Sequence, residues 1–325
     1  MDTDSIFNIS TATEFEETAL AIFRMQYDIN PVYRDFCSHL GKKPEDVGQL
    51  TDIPFLPIGF FKSKEIISNG KTIETVFTSS GTTGSPTSRH LVSDINLYEK
   101  SFRKAFAHFY GEIAEYCVLA LLPSYLERKG SSLIYMVDDL IQKSRHPESG
   151  FFLNDLAKLR ETLMRLESMG TKTLLVGVSF ALLDMAEKYP IELEHTIIME
   201  TGGMKGRRRE LIREELHHIL KSAFHVDRIH SEYGMTELLS QAYSKGNGRF
   251  ETPTWMKVLI RDTEDPLTYR PTGKTGGINV IDLANVNSCA FIATQDLGRM
   301  HSDGHFEILG RFDHSDVRGC NLMVL

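Results

Sequence analysis

The chain has 325 residues, a formal net charge of −8, 41% hydrophobic and 25% charged residues, which gives room for one large α/β unit or two average domains. The acidic balance excludes a nucleic-acid binder, which would carry a basic stripe. No apolar run reaches the length of a membrane span, and the opening Met1-Asp-Thr-Asp-Ser5 has no signal-peptide pattern. Four cysteines, Cys37, Cys117, Cys289 and Cys320, are too few for a disulfide scaffold and have no metal-like spacing. The expectation is a reduced, cytoplasmic protein.

In chain order, residues 12 to 48 show Phe15, Leu20, Phe23 and Tyr27 near helical spacing and are expected to be helical. Asp52 to Phe61 carries Pro54 and Pro57 among Phe and Leu, which predicts an extended apolar segment. Glu74-Thr-Val-Phe-Thr78 reads as a strand and runs into Ser79-Ser-Gly-Thr-Thr-Gly-Ser-Pro86. Hydroxyls and glycines of that kind suit a tight loop whose backbone N–H groups converge on an anion. A strand emptying into such a loop is a common phosphate grip, and the Gly-Lys-Ser/Thr of a Walker loop is absent.

From about 115 to 235 short apolar runs alternate with helical patterns. The predicted strands are Cys117–Leu122, Thr173–Val178, Thr196–Met199 and Val226–His230, and the predicted helices lie near 131–143, 154–168, 179–188 and 206–222. That alternation implies a mainly parallel sheet covered by helices. After about 245, Gly246, Gly248, Pro253, Pro266, Pro271, Gly273, Gly276 and Gly277 interrupt short strands such as Ile278–Asp282 and Cys289–Ala293. The expected division is therefore an α/β region over 1–245, with a helical N-terminal segment, and a small β-rich subdomain over 246–325.

The second strong signal is Ser231-Glu-Tyr-Gly-Met-Thr-Glu237, placed where a parallel strand delivers its C-terminal end to a site. Gly234 lets the backbone turn close to a ligand. Thr236 offers a hydroxyl to a phosphate, and Glu237 a hard oxygen to Mg²⁺.

Together these two segments resemble the adenylate-forming superfamily of acyl-CoA synthetases and luciferase-like enzymes. Glu200-Thr-Gly-Gly203, Thr294-Gln-Asp-Leu-Gly-Arg299 and Gly310-Arg-Phe-Asp313 fit the resemblance in the same order along the chain. It implies an α/β fold with mainly parallel sheets, and ATP and Mg²⁺ as cofactors. Thr78, Ser79, Ser80, Gly81, Thr82, Thr83 and Gly84 would hold the β- and γ-phosphates. Thr236 would contact the α-phosphate and Glu237 the metal. Gly202, Gly203, Tyr233 and Gly234 would border the adenine, Asp296 would hold the ribose hydroxyls, and Arg311 would stand at the hinge. Thr87 occupies the place of the usual lysine after the loop proline, with Arg89 two residues on.

The chain stops at Leu325, a dozen residues past Asp313, so the mobile C-terminal domain with its catalytic lysine is expected to be absent. Lys205 is the first candidate to replace that cation and Arg311 the second. Within the superfamily the sequence resembles the acyl-protein synthetases of bacterial luminescence fatty-acid reductase complexes, on Pro54-Phe-Leu-Pro57, Leu122-Pro-Ser-Tyr125, Ser131-Ser-Leu133 and Thr201-Gly-Gly-Met-Lys205. The branch implies a carboxylic, fatty acid substrate, acyl transfer to Cys320, and an acyl reductase or carrier protein as recipient.

Three other readings compete. A compact acyl-CoA ligase would pass the acyl group to free coenzyme A. An inactive nucleotide-binding scaffold subunit would bind without turnover. A serine hydrolase would use Ser179, in the elbow-like Gly177-Val-Ser-Phe-Ala181, with Asp296 and His301.

Overall fold

The computed structural model describes residues 3–79, 87–122, 130–153, 155–202 and 211–311. It begins with helices α1 (Ala12–Ile29) and α2 (Pro31–His39), strand β1 (Leu56–Pro57) and the short α3 (Phe60–Ser63). Then come β2 (Thr75–Thr78), β3 (Arg89–Val92), α4 (Ile95–Tyr110), β4 (Cys117–Leu121), α5 (Ser132–Ser144), β5 (Gly150–Phe151) and α6 (Leu156–Ser168). These lead into β6 (Thr173–Gly177), α7 (Ser179–Lys188), β7 (Thr196–Thr201), α8 (Arg213–Phe224), β8 (His230–Tyr233), β9 (Ala242–Ser244) and β10 (Phe250–Glu251). The last strands are β11 (Met256–Arg261), β12 (Thr275–Asp282), β13 (Phe291–Met300) and β14 (Phe306–Arg311).

The chain divides into two compact units, one of residues 72–253 and one joining 1–71 to 254–325. In the 72–253 unit, β8, β7, β6, β4 and β5 lie side by side and parallel, and β9 and β10 extend the β8 edge antiparallel. Every residue of β4 and β6 is buried, which is why they read as unbroken apolar runs: a parallel sheet covered by helices leaves no wet face. Helix α5 packs on β4, and α7 on β7 and α8. Strands β2 and β3 form a separate antiparallel hairpin.

The unit of 1–71 and 254–325 is built on an antiparallel meander, β11-β12-β13-β14, with β1 parallel to β13. Helix α1 starts at a capping box in which Thr11 and Glu14 satisfy each other's backbone N–H groups. Its buried Gln26 donates to the carbonyls of Asn285 and Val286 and accepts from the Ala290 N–H. Phe23, Tyr33 and Phe55 close around Phe291. The N-terminal helices therefore belong with the C-terminal β region, which differs from the expected division at 245/246. An amphipathic pattern shows that a helix has a buried face, not which segment will cover it.

Three further details differ from expectation. The strand expected at Val226–His230 is β8, from His230 to Tyr233, so it carries the motif rather than ending before it. Gly276 and Gly277 lie inside β12 instead of breaking it. A side chain at either would collide with Arg261, whose buried guanidinium donates to the carbonyls of Ile278 and Thr294 and to Asn279 Oδ1. Helix α4, capped by Asp94, has no counterpart among the expected elements.

Candidate functional site

Parallel strands end in loops at their C-terminal edge, and ligands of open α/β sheets collect there. Two of the anticipated segments meet at that edge in the 72–253 unit. Strand β7 ends in Glu200-Thr201 and turns at Gly202, whose φ of +67° suits glycine. Strand β8 pairs with it, Thr201 opposite Glu232, and continues into Gly234-Met-Thr-Glu237.

That turn is tightly held. A Cβ on Gly234 would collide with the Glu232 carboxylate and sit 3.2 Å from Gln241 Cγ. The close approach that Gly234 permits is thus partly to its own strand. Thr236 and Gly234 are half-buried and Glu237 is buried. No helix follows Glu237; the chain makes a turn, with the Leu238 N–H on the Met235 carbonyl, and enters β9. Tyr233 is buried with its ring edge-on to Phe250 at 6.1 Å.

The hairpin β2–β3 approaches the same turn. The Thr78 N–H donates to the Gly130 carbonyl at 2.7 Å, and the Ser79 N–H to the Ser88 carbonyl at 3.1 Å. Ser88 returns its N–H to Ser79 Oγ at 2.9 Å, so the neck of the Ser/Thr/Gly loop is closed on both sides. From β3 the fully buried His90 puts Nδ1 2.8 Å from the Thr236 carbonyl. Thr78, Ser79, Gly202, Tyr233, Gly234, Thr236 and Glu237 are thereby brought into one unit. Sequence reading missed His90 because its contact spans 146 residues.

The buried Glu200 and the half-buried Glu232 stand behind these segments. Glu200 Oε1 receives Arg213 Nε at 3.3 Å and has His217 Nε2 at 3.6 Å. Burial alone would raise its pKa, but His217, Arg213 and Ser231 outweigh it and hold the carboxyl below 4.5. Glu232 has one short donor, Thr201 Oγ1 at 2.6 Å. Burial pushes its pKa up to about 7, opposed by Thr201 and reinforced by the nearby Glu200 charge.

Asp296 and Arg311 belong to the other unit. They are cross-strand partners on β13 and β14, with Arg311 Nε 3.3 Å from Asp296 Oδ1. Ser80, Gly81, Thr82, Thr83, Gly84, Gly203, Lys205 and Cys320 lie outside the described residues.

Ser179 does not have the surroundings of a hydrolase nucleophile. It is buried, and its hydroxyl donates to the Gly202 carbonyl at 2.6 Å. Cys37, Cys117 and Cys289 are buried and free. Burial pushes the thiol of Cys37 up to about 12, that of Cys117 to about 11, and that of Cys289 also upward, which disfavours the nucleophilic thiolate.

Among the described residues, no group of three His, Cys, Asp or Glu could hold a metal. Mg²⁺ needs no such cage when one carboxylate and substrate phosphates share its coordination. One carboxylate, the buried Glu237 that follows the half-buried Thr236 in sequence, fits that mode. Among the described residues no helix is long and apolar enough to cross a membrane.

The fold is that of the adenylate-forming enzymes. ATP-bound MatB from Rhodopseudomonas palustris superposes with a TM-score of 0.57 at 19% identity, covering 87% of this chain and 58% of that one. The ATP-bound RpMatB-BxBclM chimera B3 gives 0.58 at 18%, covering 75% and 49%. A 2-hydroxyisobutyryl-CoA ligase in complex with 2-HIB-AMP and CoA gives 0.63 at 15%, covering 94% and 69%. The chain thus spans about half to two-thirds of the length of these structures. The family model for acyl-protein synthetase, LuxE, matches residues 9–104 and 164–325, most of the sequence, and the chain belongs to that family. No curated protein matches the chain.

Proposed function

We propose that this protein activates a fatty acid by ATP-dependent adenylation and carries the acyl group as a thioester on Cys320, for delivery to an acyl reductase or carrier protein. The observation that supports it most is the LuxE match, whose two stretches include the loop at 79–86, the turn at 231–237, Asp296, Arg311 and Cys320.

A carboxylate is a poor electrophile, because its charge repels nucleophiles and oxide leaves badly. In the proposed first step its oxygen bonds to the α-phosphorus of ATP and pyrophosphate departs. Bound Mg²⁺ would supply charge neutralisation on the phosphates. The chain's own part is preorganisation: donors aimed where charge develops, held so that they need not reorganise. Thr78 and Ser79, with the loop Ser80–Gly84, face the outer phosphates in this reading. Thr236 would face the α-phosphate, Glu237 would hold the metal, Tyr233 and Gly202-Gly203 would border the base, and Asp296 would take the ribose hydroxyls. Lys205 is proposed as the cation on the reacting carboxylate, with Arg311 second.

In the second step the Cys320 thiolate attacks the acyl carbon and AMP leaves. An unperturbed thiol has a pKa of about 8.5, so a minor thiolate fraction reacts at neutral pH. Burial of the other three cysteines supports Cys320 as the carrier.

The test is ATP–pyrophosphate exchange with a panel of fatty acids, followed by labelling. Wild type should exchange, and Glu237→Ala should lose about 100-fold or more. Labelled acid should remain on the denatured protein, be released by hydroxylamine and be missing from Cys320→Ser. Exchange without protein label would transfer the reading to a CoA ligase. No exchange with any acid would leave a binding subunit.

A further inference from the structure

We propose that His90 is a positioning residue that fixes the spacing between the neck of the Ser/Thr/Gly loop and the Thr236–Glu237 turn; the role rests on the nucleotide reading above. His90 has no exposed surface, and it lies one residue beyond Arg89, the residue paired with Thr78 at the loop end of the hairpin. A carbonyl can only accept, so the 2.8 Å contact with Thr236 requires the proton on Nδ1. The constraint is continuous. Ser88 is bound twice to Ser79, Thr78 is bound to Gly130, and two residues after Ser88 the imidazole grips the Thr236 backbone. Movement of Thr236 away from Thr78 and Ser79 therefore strains or breaks a part-buried hydrogen bond.

The carbonyl that His90 holds belongs to the residue whose hydroxyl the mechanism aims at the α-phosphate, and the next residue is Glu237. Thr236 and Glu237 are on a turn rather than a regular element, and the His90 bond ties the backbone of that turn to strand β3. Catalytic geometry is sensitive to this: misplacement by about 1 Å can cost roughly 100-fold.

Two variants separate a positioning role from simple core packing. The amide nitrogen of His90→Asn can replace Nδ1, whereas that of His90→Gln reaches toward the position of Nε2 and abandons Thr236. Both are polar and introduce the same group into the core. In ATP–pyrophosphate exchange, His90→Asn should keep kcat/KM for ATP within about threefold of wild type, and His90→Gln should lose roughly 10- to 100-fold. Urea midpoints measured alongside identify any loss of folded protein, and a shift shared by both variants cannot produce the difference in activity. Equal kcat/KM for the two variants, with wild type active, would overturn the role of His90 and leave the nucleotide reading standing. Absence of exchange in wild type itself would remove that reading and this role with it.

Discussion

Two carboxylates in this chain face an arginine Nε at the same 3.3 Å, Glu200 with Arg213 on the parallel sheet and Asp296 with Arg311 on the meander. The side chains are 6% and 28% exposed in the first pair, and 11% and 80% in the second. Distance alone would rate the pairs equal. Burial separates them, because water screens an exposed guanidinium and competes for its hydrogen bonds, while a buried charge must be met by protein groups. The parallel-sheet pair belongs to a network, with His217 Nε2 also 3.4 Å from Ser231 Oγ and Ser179 Oγ 3.4 Å from Glu200 Oε2. The first region is a structural lock behind the candidate site; the second leaves its arginine largely exposed to solvent.

The largest expected effect breaks the lock. Glu200→Ala leaves Arg213 and His217 without the carboxylate they share and should destabilise the fold by about 3 kcal/mol, read as a lowered urea midpoint at pH 7. The pH dependence has a definite sign. Glu200 holds its proton more weakly in the fold than in the unfolded chain. Its contribution is therefore complete above 4.5 and lost as pH falls below 4.5 through the folded value. The gap between wild type and variant should narrow in acid. A constant gap would show that packing, not charge, carries it.

The same contrast explains what the sequence revealed. Cys117–Leu121 and Thr173–Gly177 were legible because strands buried on both faces must be apolar throughout. Strand β8 was misplaced by three to four residues because its residues are His, Ser, Glu and Tyr. The buried Ser231 and half-buried Glu232 are accommodated there by partners, His217 and Thr201, that lie on other elements. Arg261 hid the meaning of Gly276 and Gly277 in the same way. As for the candidate site, hydroxyl, glycine and carboxylate motifs were visible as local strings. His90, which acts through a long-range contact, carried no local signal, and Glu200 was visible only as part of Glu200-Thr-Gly-Gly203, without its partners Arg213 and His217.

A smaller effect sharpens the comparison within the lock itself. Glu232 is one strand over from Glu200 but has only Thr201 as a short donor. Glu200 on β7 reinforces the rise in its pKa, and Tyr98 and Tyr110 on α4 and Tyr243 on β9 feel the Glu232 charge in turn. Its pKa is raised to about 7 from 4.5, so the fold favours the protonated form and loses stability as pH rises from 4.5 through 7. Glu232→Gln removes that penalty. It should match wild type near pH 5 and exceed it at pH 8 by about 1–2 kcal/mol, since Glu232 keeps some contact with solvent. Parallel stability curves across that range would mean that Glu232 is ionised throughout, like Glu200.

The smallest effect on stability belongs to Arg311, and for that reason it gives the cleanest reading of function. A solvent-exposed ion pair contributes about 0.5 kcal/mol or less, so Arg311→Ala should leave the urea midpoint close to wild type. If Asp296 takes the ribose hydroxyls as proposed and its partner Arg311 also reaches the bound nucleotide, their mutual contact gives way when ATP arrives. Arg311→Ala and Asp296→Ala should then each raise KM for ATP in the exchange assay by roughly tenfold, the usual worth of a charged hydrogen bond to a ligand. Loss of activity with an unchanged midpoint assigns the pair to ligand binding. Unchanged KM with an unchanged midpoint would make it an ordinary surface contact, and the difference between the two arginines would then reduce to burial alone.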